Sequence, residues 1–116
     1  MTAQPFRYTT KVYSFDATMS SSTNQTGVID MIGTPLIGIK FPTAFKGKKV
    51  FINISTDGTT FLKAYNPQGV RFQVVAQANS YVAIAPDDFR GVRYIQLESD
   101  GIEGTDRSFT VFGRVD

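Results

Sequence analysis

Apolar residues in this chain recur at alternate positions over short runs. Nowhere do they keep the i, i+3, i+4, i+7 spacing of a helix through three turns. Val50, Ile52 and Ile54 alternate with Phe51, Asn53 and Ser55, and Thr56-Asp57-Gly58-Thr59 then turns the chain into a strand over Thr60–Tyr65. Asn66-Pro67-Gln68-Gly69 is a second turn, with proline preset for an early turn position and glycine for positive φ. Val70, Phe72 and Val74 follow on one face, with Arg71 and Gln73 on the other. Further strands are predicted over 28–32, 36–41, 81–84, 93–98 (Ile95 and Leu97 inward) and 108–115. Pro86-Asp87-Asp88-Phe89 reads as one helical turn near 86–90. Proline opens it, the acids sit at the positive end of its peptide dipoles, and Phe89 plugs the bottom of the core.

Turn signals spaced about eight to twelve residues apart are those of an all-β sandwich or barrel. The expected fold is a single antiparallel β-sandwich, a jelly roll or related Greek key, of about eight strands. Phe41, Phe61, Phe72, Phe89 and Phe109 fall on inward positions and are expected in its core. The sandwich domain is assigned to 27–116 and an N-terminal arm to 1–26. Within the arm, Phe6 to Asp16 is strand-like, and 17–26 is a polar stretch without apolar periodicity, expected as a flexible or surface-draped loop. The strand-like part could pair with the domain's own edge or with a neighbouring subunit.

Composition narrows the chemistry. The 116 residues suit one domain, and 41% hydrophobic with 19% charged residues suits a folded globule. The chain has no His, Cys or Trp, which removes disulfides, thiolate and imidazole metal sites, and nucleophile systems built on His or Cys. Carboxylates, hydroxyls, Lys, Arg and Tyr remain, and the balance leans against an enzyme. An active site would have to be built from Asp57, Asp87, Asp88, Asp100, Glu103 or Asp106. Asp57 reads as a turn residue and Asp87 and Asp88 as first-turn acids. Asp100, Glu103 and Asp106 share a glycine-containing loop without the spacing of a Ca²⁺ loop. No catalytic, cofactor-binding or metal residue is therefore assigned, and no cofactor is expected.

Twelve cations against ten anions leave a net charge of +2, which gives no argument for nucleic acid. No run approaches the ~18 apolar residues of a membrane span, so no membrane partner is expected. Lys46, Lys48 and Lys49, with Lys40 nearby, are the one basic cluster; it reads either as a partner contact or as lysines guarding a sheet edge. Tyr8, Tyr13, Tyr65, Tyr81 and Tyr94 read equally as interface or sugar-stacking residues and as ordinary cross-strand packing.

The order of motifs carries a resemblance. Leu36-Ile-Gly-Ile-Lys-Phe-Pro42, Val50-Phe-Ile-Asn-Ile-Ser-Thr-Asp-Gly-Thr-Thr-Phe61, a turn with Gly69, Ala85-Pro-Asp-Asp-Phe-Arg-Gly-Val-Arg-Tyr-Ile-Gln-Leu97 and a closing Asp106-Arg107-Ser-Phe-Thr-Val resemble small β-sandwich proteins encoded beside the capsid genes of tailed bacteriophages. The resemblance spans about Val28 to Val115. It implies a non-enzymatic virion protein that decorates or cements the capsid exterior, with the major capsid protein as partner. It further implies a small homo-oligomer, a dimer or trimer, made in the host cytoplasm. Phe6, Tyr8, Tyr13, Lys46, Lys48 and Lys49 are the candidate partner contacts. Deleting 1–26 is expected to weaken oligomerisation or capsid attachment while the core still folds. Gly91-Val-Arg-Tyr-Ile-Gln-Leu97 is also similar to the late strand of discoidin-type sandwiches, which implies the alternative of a carbohydrate-binding or tail-associated adhesion module.

Overall fold

A computed structural model describes residues 11–115; Phe6 and Tyr8 lie outside them. Alternation in the sequence becomes two antiparallel sheets, each burying one side of its strands against the other. One sheet holds, in spatial order, β1 (Lys11–Met19), β9 (Arg107–Val115), β3 (Leu36–Lys40) and β7 (Tyr81–Ala83). The other holds β2 (Ile29–Asp30), β8 (Tyr94–Ser99), β4 (Lys49–Ser55) and β5 (Leu62–Lys63), with β6 (Gln73–Val75) also on β4. The turn expected near 86–90 is a 3₁₀ turn over Pro86–Phe89 with Phe89 buried.

β5 and β6 share one position. β5 pairs with Asn53 and Ile54 of β4, and β6 pairs with Lys49, Val50 and Phe51 of the same strand. Between them the chain leaves as a hairpin, closed by the Tyr65–Arg71 bridge and by the Phe72 N–H donating to Ala64 O at 2.8 Å. Eight positions then remain. The first, eighth, third and sixth form one sheet, and the second, seventh, fourth and fifth form the other. That alternation is a jelly roll of two interlocked Greek keys.

Met19, Met31, Leu36, Ile39, Phe41, Val50, Ile52, Ile95, Leu97, Phe109 and Val111 are essentially sealed from solvent between the sheets. Phe41, Phe45 and Phe109 meet with ring centroids 5.3–5.6 Å apart in tilted and edge-on contacts. Each such pair adds about 0.5–1.5 kcal/mol beyond its buried area. Phe61, expected inward, is half-buried outside this core, because the chain is already leaving β4's edge there. Phe45, on the connection into β4, fills the core instead. Val70, expected on the inward face, lies in the excursion beyond Tyr65 and is exposed.

The polar stretch 17–26 is a surface turn only in its middle, and both of its ends are built into the sheets. Ala17 and Met19 belong to β1, which pairs with β9 without interruption, and Met19 is wholly buried. Asn24 and Thr26 are hydrogen-bonded along β8: Ser99 N–H donates to Asn24 O (2.7 Å), Thr26 N–H to Leu97 O (2.9 Å), and Leu97 N–H to Thr26 Oγ1 (3.1 Å). Polar side chains here satisfy backbone groups at a sheet edge, which periodicity alone does not reveal. The described part of the N-terminal segment, 11–26, is thus bonded into both sheets. Losing it would strip Ala17 and Met19 from the core.

Candidate functional site

The sheets close over each other where β1 meets β2. On the opposite side, the edges of β6 and β7 frame an open groove of about 470 Å³. Phe72, Val74, Val82 and Ile84 form its walls, Ile52 and Phe89 its floor, and Gln73, Gln77 and Asp88 add polar groups to its rim. Phe72 and Phe89 stack within it at 4.9 Å between centroids. Its size suits a small ligand, and its lining suits an apolar one.

A polar network covers the outer face of the β2-β8-β4 sheet. One guanidinium nitrogen of Arg71 donates to Asn53 Oδ1 at 2.8 Å and to Glu98 Oε1 at 3.2 Å. Asn53 Nδ2 donates to Glu98 Oε1 at 3.0 Å and to Gln96 Oε1 at 3.2 Å, and Gln25 Nε2 donates to Glu98 at 3.3 Å. The guanidinium lies 4.2 Å from the centre of the Phe51 ring, in cation–π range. Burial pushes the Glu98 carboxyl up, but bonds from Asn53 and Gln25 with the Arg71 charge outweigh it and hold the group below its ordinary value. The excursion between β5 and β6 places Arg71 there. The β4–β8 register brings the network together: Asn53 on β4 lies opposite Gln96 on β8, both on the outward set.

Of the six carboxylates that could have built an active site, Asp88 stands at the rim of the groove and the other five are engaged elsewhere. Asp57 Oδ1 accepts from the N–H of Thr59 (2.8 Å) and Thr60 (2.9 Å) and from the Ser55 hydroxyl, which holds its pKa down at about 2. Asp87 pairs with Arg90. Asp100 accepts from Lys48 N–H, and Asp106 from Ser21 N–H at 2.8 Å. Glu103 accepts from Lys46 N–H at 2.8 Å and from Arg107 Nε at 2.9 Å, in a pair almost closed to solvent. The 100–106 loop is mostly exposed, and its three acids also anchor neighbouring backbone. Among the described residues no group of three or more acids, His or Cys is placed to hold a metal.

Lys46 and Lys48 are exposed on the connection that enters β4 and Lys49 is exposed at the start of that strand, and the bonds to Asp100 and Glu103 set two carboxylates beside them. Tyr13 does not join them. The Asp106 bond to Ser21 places the acid loop beyond the Met19 end of β1, and Tyr13 stands six residues back, about 20 Å along the strand. The described tyrosines are also divided: Tyr13 and Tyr81 belong to the β1-β9-β3-β7 sheet and Tyr94 to the other, with Tyr65 on its excursion. Tyr81 crosses β3 above Gly38, stacks on Phe112 at 5.5 Å and donates its hydroxyl to Ile37 O.

No protein-family model matches the chain, and no curated protein matches it in sequence. Among solved structures, the crystal structure of the SPBc2 prophage-derived protein YomS is similar, with a TM-score of 0.60 at 13% sequence identity. The match covers 97% of this chain and 100% of that one, so the two share a fold over nearly all of this chain.

Proposed function

We propose that the chain is a non-enzymatic structural protein of a tailed-phage virion that decorates or cements the capsid exterior as a small homo-oligomer. The observation that carries this reading is the fold shared over nearly all of this chain with a prophage-derived protein. It joins the motif order that resembles capsid-adjacent phage proteins. The use of Asp57, Asp87, Asp100, Glu103 and Asp106 as structural hydrogen-bond acceptors supports a scaffold rather than a reaction centre. A sugar-stacking platform needs tyrosines gathered on one face, and the division of the described tyrosines between the sheets favours the structural reading over it.

Immunolabelled imaging of purified particles, with copy number from quantitative mass spectrometry, tests the assignment. Many symmetric head positions are expected. A few copies confined to the tail would overturn decoration in favour of the adhesion reading, and absence from particles would overturn both.

A further inference from the structure

We propose that the free edge of β1 is a homodimer interface, joining two copies about a two-fold axis at Ser14 into one continuous eight-stranded sheet. The proposal deepens the homo-oligomer part of the function above and rests on it, but it is argued from the edge itself.

β1 ends its sheet, and its nine-residue register with β9 contains no bulge, proline or glycine. Among the described residues only its far end is closed, by the Met19–Thr26 bridge. Long edges of this kind are usually blunted by prolines, bulges or repeated lysines, and over 12–18 β1 has none of these. The backbone direction follows from β9. Arg114 donates its N–H to Pro35 O on the β3 side, so Gly113 faces β1 and bonds with Tyr13. Along β1, Val12, Ser14, Asp16 and Thr18 therefore direct their N–H and C=O groups outward from the sheet.

The side chains add a second reason. Lys11, Tyr13 and Phe15 share the face of Ala17 and Met19, yet Lys11 and Tyr13 are exposed and Phe15 only half-buried. This end of the β1–β9 ladder overhangs the second sheet, which leaves an aromatic pair beside an open backbone edge. An antiparallel partner centred on Ser14 sets Ser14 opposite Ser14 and Val12 opposite Asp16 in hydrogen-bonded pairs. Tyr13 then falls opposite Phe15 of the second copy in both intervening pairs, where side chains lie closest. The two Asp16 carboxylates do not meet; each faces a valine and already accepts from Thr110 Oγ1 at 2.9 Å. Moving the axis to Phe15 would set Tyr13 against Ala17 and leave a single aromatic pair, Phe15 against Phe15, in place of two.

The chain has no cysteine, so Ser14→Cys gives a direct test. At the axis the two Cα atoms would stand about 5.5 Å apart, inside the range a disulfide spans. Oxidised S14C should form a covalent dimer much faster than the exposed-loop control Thr56→Cys. Wild-type protein should sediment as a dimer between micromolar and millimolar concentration. Ser14→Pro removes an outward N–H at an edge position, where a strand tolerates proline, so it should sediment as a monomer with its circular dichroism essentially unchanged. A wild-type monomer throughout that range, with S14C crosslinking no faster than T56C, overturns the interface. If deleting residues 1–9 instead turns a monomer into a dimer, the chain's own N-terminal segment covers the edge and the proposal also fails. All these measurements use the isolated chain, so a negative result leaves the particle-imaging test of the virion role intact.

Discussion

Replacing Met19 with alanine tests whether β1 is part of the core or an appendage. Met19 is wholly buried, faces the second sheet and ends the ladder to β9. Truncating a sealed methionine loses its transfer free energy and leaves a cavity, costing about 2–5 kcal/mol. Taking about 3 kcal/mol and roughly 4 °C per kcal/mol for a domain of this size, the melting temperature should fall by about 12 °C. Val12, on the same strand, is 58% exposed, and Val12→Ala should cost below about 1 kcal/mol. Both variants should be unfolded by urea and by heat at one protein concentration, because any self-association shifts apparent stability. An appendage would make the two substitutions equally mild. A loss below about 1 kcal/mol for Met19→Ala would refute the assignment of β1 to the core.

Two further substitutions probe how the strands fit. A Cβ on Gly113 would run into the Thr34 hydroxyl and come within 3.1 Å of Met31 Cε, so Gly113→Ala should cost about 1–3 kcal/mol. Gly27 has open space, and Gly27→Ala should be neutral or slightly stabilising in the same denaturant titration; equal effects would contradict the packing at Gly113. Asp57 titrates near 2 in the fold against a usual 3.8, so its charged form stabilises the native state above pH 3.8. That contribution fades as pH falls toward 2, and the stability gap between wild type and Asp57→Asn should shrink over the same window. A gap constant with pH would show that the Asp57 charge is not what holds the 55–60 turn.

Sequence reading reached most of the strands because a two-residue period marks any strand with one buried face. β3, β4, β8 and β9 lie where Leu36, Val50, Ile95 and Phe109 mark them. It failed where backbone hydrogen bonding, not side-chain burial, holds the chain. Thr26 is buried because β8 needs its hydroxyl and amide, and nothing in its polar neighbours announces that. It also failed at Phe61 and Phe45, since which ring enters a core depends on where the chain leaves a strand. Of the candidate contacts, Tyr13 and the lysines proved exposed but lie at separate places, a relation set by pairing across the fold. The Arg71–Glu98–Asn53 network joins residues far apart in the chain and was not legible as a unit.

Alternation, turn residues and the lack of His, Cys and Trp by themselves determined an all-β sandwich whose chemistry is limited to acids, hydroxyls, amines, guanidinium and phenol. These are local properties, readable wherever a strand has a dry and a wet face. Tertiary structure alone decided that the sandwich is a jelly roll, that β5 and β6 fill one position, and that β1 stands at the end of its sheet among the described residues. The physical reason is that strand order depends on pairings between distant segments, and their backbone hydrogen bonds are nearly identical whichever strands make them. Only the combined packing of both inner faces selects one arrangement.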